Sequence, residues 1–264
     1  MTQIDLNTLE ELEDEVAKLY ALLKGKRTSS YSTISSPLFR GQESASWNLL
    51  TTLERYKNQV ISVELYNRYL WNIKSAIEAF TQNKWNVEQN PKIDETFFYG
   101  PPNYDFMAYV RHHGFPSPLL DWSQSLYIAL FFAYQKASVT DRVGIYIYVE
   151  LLGEGKGGTL YGPRICELGP NISTHKRHFM QQGQYTVCVE KTDDYWAYCS
   201  HEKYFSAATH EDQDYLMKLT LPGDIKYQVL NRLQSMNINA FTLYGSEDSL
   251  MDMLAFKEIM KKKF

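Results

Sequence analysis

The spacing of apolar positions changes partway along this chain. Over residues 5–24, Leu6, Leu9, Leu12, Val16, Leu19 and Leu23 recur at helical spacing, with acids gathered at the front. That predicts an amphipathic helix whose acidic start complements the helix dipole. Helical patterns follow over 61–83, over 103–112 with an end near Gly114, and over 125–138 with Ser123 or Ser125 as the cap. The last of these is apolar almost all round (Leu126, Ile128, Ala129, Leu130, Phe131, Phe132), which predicts burial on several sides. Between the first two, "LFRGQ" predicts a short strand ending at Arg40, where Gly41 releases the chain into a turn.

Beyond residue 140 the period falls from 3.6 to 2. "VGIYIYVELL", "QYTVCVEK" and "DYLMKLTLP" are rich in β-branched and aromatic residues and predict strands. Helices over about 223–236 and 247–262 flank "NINAFTLYG". The polar stretch "GKRTSSYSTISSP" reads as a connection, "NPKIDETFFYGPPN" as a loop, and "GEGKGG" as a turn too irregular to cradle a phosphate. Helices, then mostly strands, then helices predict an α+β fold with a mixed or antiparallel sheet core. Residues 1–30 form an N-terminal helical extension in this reading, and 31–264 the main domain.

Composition narrows the function classes. Of 264 residues 44% are hydrophobic and 20 are tyrosine, which fits a packed globular chain and argues against disorder over most of its length. A net charge of -4 argues against a general grip on nucleic acid, though not against a local basic groove built from Arg40, Arg55, Arg111 and Arg177. Cys166, Cys188 and Cys199 match no zinc spacing, and their odd number suits reduced thiols in a cytoplasmic protein. The acidic start does not resemble a signal peptide, and no apolar run reaches the ~18–20 residues of a membrane span.

The richest chemistry lies in "RHHGFPSPLLDWSQS", where polar side chains crowd directly before the apolar helix. Asp121 and Ser123 can cap that helix. Capping alone leaves Trp122 and the histidine pair unexplained: an indole beside a carboxylate can stack on a base while the acid takes a ribose hydroxyl. Adjacent histidines point in different directions on a helix, so a shared metal is not expected. One caps the helix end and the other faces a pocket, with His113 as the candidate. Arg40, flanked by Gly41 and Gln42, offers a planar fork for phosphate or carboxylate. Arg177 and Gln181 stand four apart, on one face if helical. A neutral amide cannot serve as a general base at pH 7, so any catalytic acid must come from Asp121, Asp248 or Glu190.

Four islands, "FRGQ" at 39–42, "RHHGFPSPLLDWSQS" with "ALFFA" at 111–133, "RHFMQQGQYTV" at 177–187 and "MNINAFTLYGSEDSL" at 236–250, together resemble the FRG domain family, which is named for the Phe-Arg-Gly that stands here as Phe39-Arg40-Gly41. The resemblance covers roughly residues 35–255. Ser117-Pro118 replaces the family's usual Thr-Arg, and Asp248-Ser249 keeps the acid of its Asp-Gly while losing the glycine. The family implies a toxin or phage-defence setting with a macromolecular target or an antitoxin partner. A weaker similarity of layout to ADP-ribosyltransferase-like folds implies NAD as cofactor. In that layout Arg40, Gln42, His113, Trp122, Ser123 and Arg177 hold NAD, with Asp121, Gln181 and Asp248 as catalytic residues and no metal. Three classes follow: an NAD-using transferase or hydrolase, a nucleotide-binding sensor without chemistry, and a nucleic-acid effector.

Overall fold

The period-2 segments pair into one large sheet. The computed structural model describes residues 2–26, 33–56, 60–92, 100–152, 162–169, 176–192, 194–207 and 214–260, and the "GEGKGG" stretch lies outside them. Among these residues the fold is α+β, with a nine-stranded mixed sheet. Its strands are β1 (Thr2–Asp5), β3 (Leu38–Gln42), β4 (Ile61–Ser62), β5 (Leu120–Ser123), β6 (Arg142–Val149), β8 (Arg164–Leu168), β9 (Gly183–Lys191), β10 (Trp196–Tyr198) and β11 (Tyr215–Pro222). They run in the order β1-β11-β6-β3-β5-β9-β10-β4, with β8 on the other edge of β9. Among the described residues only β1 and β11 pair in parallel. A two-stranded ribbon, β2 (Thr33–Ile34) with β7 (Leu151–Leu152), stands apart.

The helices are α1 (Leu9–Lys26), α2 (Thr52–Tyr56), α3 (Val63–Thr81), α4 (Tyr104–His112), α5 (Leu126–Tyr134), α6 (Lys176–Met180), α7 (His201–Ala207), α8 (Lys226–Ser235), α9 (Ala240–Tyr244) and α10 (Glu247–Ala255). Strand alternation decides what each covers. Val143, Ile145, Ile147 and Val149 of β6 point into a core shared with α1, α5 and α8. Tyr146 and Tyr148, between them, point to the opposite face with Leu38, Leu120 and Trp122. Along β9, Tyr185, Val187 and Val189 meet α3 and α4, while Cys188 joins the Tyr146 side. No helix among the described residues is long and apolar enough to cross a membrane.

The strip α5 is buried as its composition predicts, with Ser125 as N-cap: its hydroxyl accepts from the Ile128 N–H. Phe132 departs from that expectation. It is only partly buried and lines a cleft, so the full cost of losing a buried phenylalanine does not apply to it. Gly41 departs too. It sits inside β3, paired with Ile145, and releases no turn. A Cβ there would overlap the Ala129 carbonyl oxygen and stand 2.7 Å from the Ala133 nitrogen, so Gly41 is what lets α5 lie directly on β3.

The sheet has one weak seam. β3 and β5 share a single paired position, Phe39 with Ser123. Beyond it β3 continues along β6 as far as Gln42–Gly144, and β5 continues along β9 as far as Leu120–Thr186. The two halves of the sheet therefore part between Arg40 and Asp121.

Candidate functional site

At that seam lies a cleft of about 380 Å³, within the usual range for small-ligand sites. Arg40 spans the gap. Its NH1 donates to the Asp121 carbonyl at 2.7 Å. The same nitrogen is 3.9 Å from Asp121 Oδ2. From α4, Arg111 takes the Asp121 carboxylate in a fork: Nε donates to Oδ1 at 3.1 Å and NH2 to Oδ2, while NH1 donates to Thr52 Oγ1 at 2.9 Å.

Asp121 lies on the cleft floor, with 43% of its side chain still accessible. Burial pushes its carboxyl up, but Arg111 and Arg40 outweigh that and hold it below the ordinary value of 3.8. Arg40 shows the opposite strain: burial and the nearby Arg111 and Arg55 bring its guanidinium down to about 10, against the pull of Asp121. Arg55 on α2 also lines the cleft, and its guanidinium makes no hydrogen bond or ion pair to any described residue. Arg177 is the fourth arginine of the lining, its Nε donating to the Tyr244 carbonyl at 3.1 Å. Against four arginines the described lining offers two acids, Asp121 and Glu43. Glu43 forms no hydrogen bond or ion pair among the described residues.

The structure thus brings Arg40, Gln42, Asp121, Trp122, Ser123, Arg177 and Gln181 to one cleft. Several expected roles change there. Trp122 is 4% exposed, its Nε1 donates to Thr186 Oγ1 at 2.8 Å, and its ring packs among Leu38, Tyr148 and Cys188. An indole held in the core cannot stack on a ligand. Ser123 is buried and donates to the Gln181 carbonyl at 2.8 Å, and the Gln181 amide donates to the Leu243 carbonyl at 3.1 Å, so both tie the cleft wall together. Gln42 donates to the Asn48 carbonyl at 3.2 Å and leaves its buried Oε1 without a partner.

The two histidines are exchanged relative to expectation. His113 is the C-cap of α4 and leans at a tilt on the Tyr109 ring, lining a different groove beside Phe80 and Phe115. His112 faces the cleft, its Nε2 at 2.7 Å from the Tyr185 hydroxyl. Asp248 stands exposed on the first turn of α10, outside the cleft lining, where it meets the helix dipole. Glu190 pairs with Lys203, also away from the cleft. Among the described residues no three His, Cys, Asp or Glu side chains converge as a metal site would require.

Fold and site define an α+β protein whose split sheet holds an arginine-lined cleft. Residues 35–142 match the family model of the FRG domain, and this stretch contains Phe39-Arg40-Gly41, α4 and the β5–α5 turn. The third and fourth islands lie beyond the matched stretch. No curated protein and no solved structure matches the chain.

Proposed function

We propose that the cleft binds the phosphates of a nucleotide, with NAD as the first ligand of that class. One observation carries the reading: four arginines line the cleft, and the Arg55 guanidinium among them makes no hydrogen bond or ion pair with any described residue. Gathering more guanidinium groups than carboxylates costs folding energy, which an arriving anion returns. The depressed Arg40 supports the same reading, because an added phosphate relieves like-charge crowding. A nucleotide-sensing or nucleotide-consuming role fits the toxin and defence setting that the family resemblance implies.

The test is thermal stabilisation of the full chain by NAD, ADP and inorganic pyrophosphate, set against adenosine and nicotinamide. Phosphate-bearing ligands should raise the melting temperature, since a ligand at 100 times its Kd adds about 2.7 kcal/mol. Arg55→Gln should weaken these ligands roughly tenfold without lowering the melting temperature of the free protein. Stabilisation by adenosine as strong as by ADP would defeat the proposal.

Chemistry on NAD is a second reading, and Glu43 favours it. Asp121 spends its charge on Arg111 and Arg40, whereas Glu43 lines the cleft with its carboxylate uncommitted. Breaking the ribose–nicotinamide bond sends its electron pair out with nicotinamide and leaves positive charge on the sugar, which a carboxylate stabilises. Water or an acceptor hydroxyl then supplies the new oxygen and gives up its proton. If the protein releases nicotinamide, Glu43→Gln should cut turnover about a hundredfold or more while sparing NAD-induced stabilisation. Unchanged turnover in that variant removes Glu43 from the reaction.

A further inference from the structure

We propose that Trp47 is the surface on which the ligand's heterocyclic base stacks, an inference that rests on the nucleotide reading above. Trp47 lines the cleft and is 50% exposed. Exposed aromatics occur elsewhere, at Tyr56, Phe80 and Tyr195, but none of these belongs to the cleft lining. The other aromatic rings of the lining are committed: Phe39, Trp122 and Tyr185 are buried, and Phe132 and Tyr244 lean on one another with Arg177 over the Tyr244 ring.

What distinguishes Trp47 is an open side chain on a fixed backbone. Its N–H donates to the Ser44 carbonyl at 3.3 Å, and its own carbonyl accepts from the Tyr146 hydroxyl at 3.1 Å. The next two residues are pinned as well, Asn48 O by the Gln42 amide at 3.2 Å and Leu49 N–H by Glu202 Oε1 at 2.9 Å. Leu49 is fully buried. The indole N–H has no hydrogen-bond partner among the described residues. A tryptophan ordered by its backbone, with two side-chain torsions left to settle, presents a large flat face at small entropic cost.

Its place relative to the arginines fits the same ligand. Tyr146, which holds the Trp47 carbonyl, is the register partner of Arg40 across β3 and β6. The aromatic platform therefore stands one side chain away from the phosphate-binding pole. A site for phosphate alone needs only the arginines; a nucleotide needs both.

Calorimetry on the full chain with pyrophosphate and with ADP, for wild type, Trp47→Ala, Trp47→Phe and Arg55→Gln, separates the two claims. Trp47→Ala should weaken ADP about tenfold or more, Trp47→Phe should restore most of that loss, and neither should move pyrophosphate by more than about twofold. Arg55→Gln should weaken both ligands. Equal ADP affinity in wild type and Trp47→Ala, or wild-type affinity for ADP no higher than for pyrophosphate, overturns the stacking role and leaves the phosphate site standing. If wild type binds neither ligand, the phosphate site itself falls and Trp47 loses its role with it. A parallel loss of pyrophosphate in Trp47→Ala would make the residue a structural support, again overturning the proposal.

Discussion

Gly41→Ala should be the most damaging single-methyl change in the described structure around the cleft. The added carbon has to enter space held by the Ala129 carbonyl and the Ala133 amide, both helical backbone, so no side chain can swing aside. Overpacking of this kind costs about 3 kcal/mol or more, at or above the upper end for cores. For a chain of this size that corresponds to a melting temperature lower by roughly 6–12 °C. Urea titration and a thermal scan would read it directly, and a variant melting within about 2 °C of wild type would show that β3 and α5 are not in contact. Any relaxation also moves Arg40, the next residue, so surviving protein should bind pyrophosphate more weakly.

The sequence places Gly41 beside Arg40 but cannot say what presses on it, because the constraint comes from a helix nearly ninety positions away. Patterns within one element were more legible. The core strands β6, β9 and β11 and the buried helix α5 follow from their own period and composition, since each buries what its spacing says it must. The strand β1 was not legible: its side chains are mostly exposed, and only pairing with β11 makes it a strand. In the cleft, strand alternation already assigns the side chains of β5 to opposite faces. Leu120 and Trp122 share one face of β5 and Asp121 the other, so an apolar Leu120 already assigned the indole to the core. Nothing in "SASWNLL" marked Trp47, whose backbone is held from distant Tyr146 and Glu202 as well as from nearby Gln42 and Ser44. The four arginines were legible as a group, but the meeting of Arg40, Arg55 and Arg111 around Asp121 is a product of the seam.

Asp121→Asn should expose what that meeting costs. With the carboxylate gone, Arg111 and Arg40 lose their shared counter-ion and face one another, with Arg55 nearby. Breaking a buried pair costs several kcal/mol, but the accessible side of Asp121 admits water, so about 2 kcal/mol is the expected loss near neutral pH. The folded pKa is depressed below 3.8, so the contribution of Asp121 is present above that value and disappears as pH falls through the folded pKa. Wild type and variant should therefore differ most at neutral pH and converge in acid below 3.8, and added salt should narrow the gap. The variant should also bind pyrophosphate more tightly than wild type, because the ligand no longer competes with a carboxylate for Arg111. A pH-independent gap, or weaker pyrophosphate binding, would mean that Asp121 serves the fold through shape rather than charge.

The pairing of β1 with β11 has a kinetic consequence. Thr220 donates to the Asp5 carboxylate across 215 positions of sequence, and Arg142 ties the Leu6 carbonyl to the same strand. On a ribosome, β1 and the helix behind it emerge long before their partner is made. Loop-closure entropy makes such a contact slow to form, and an apolar α1 face without its cover is exposed to chance encounters in the interval. The acids at its front, Glu10, Glu11, Glu13, Asp14 and Glu15, keep that waiting segment charged, and Arg232 of α8, which pairs with Glu10 and Glu13 in the fold, is made after β11. Because β1 pairs with β11, its place in the sheet can be taken only after residue 222 has been made.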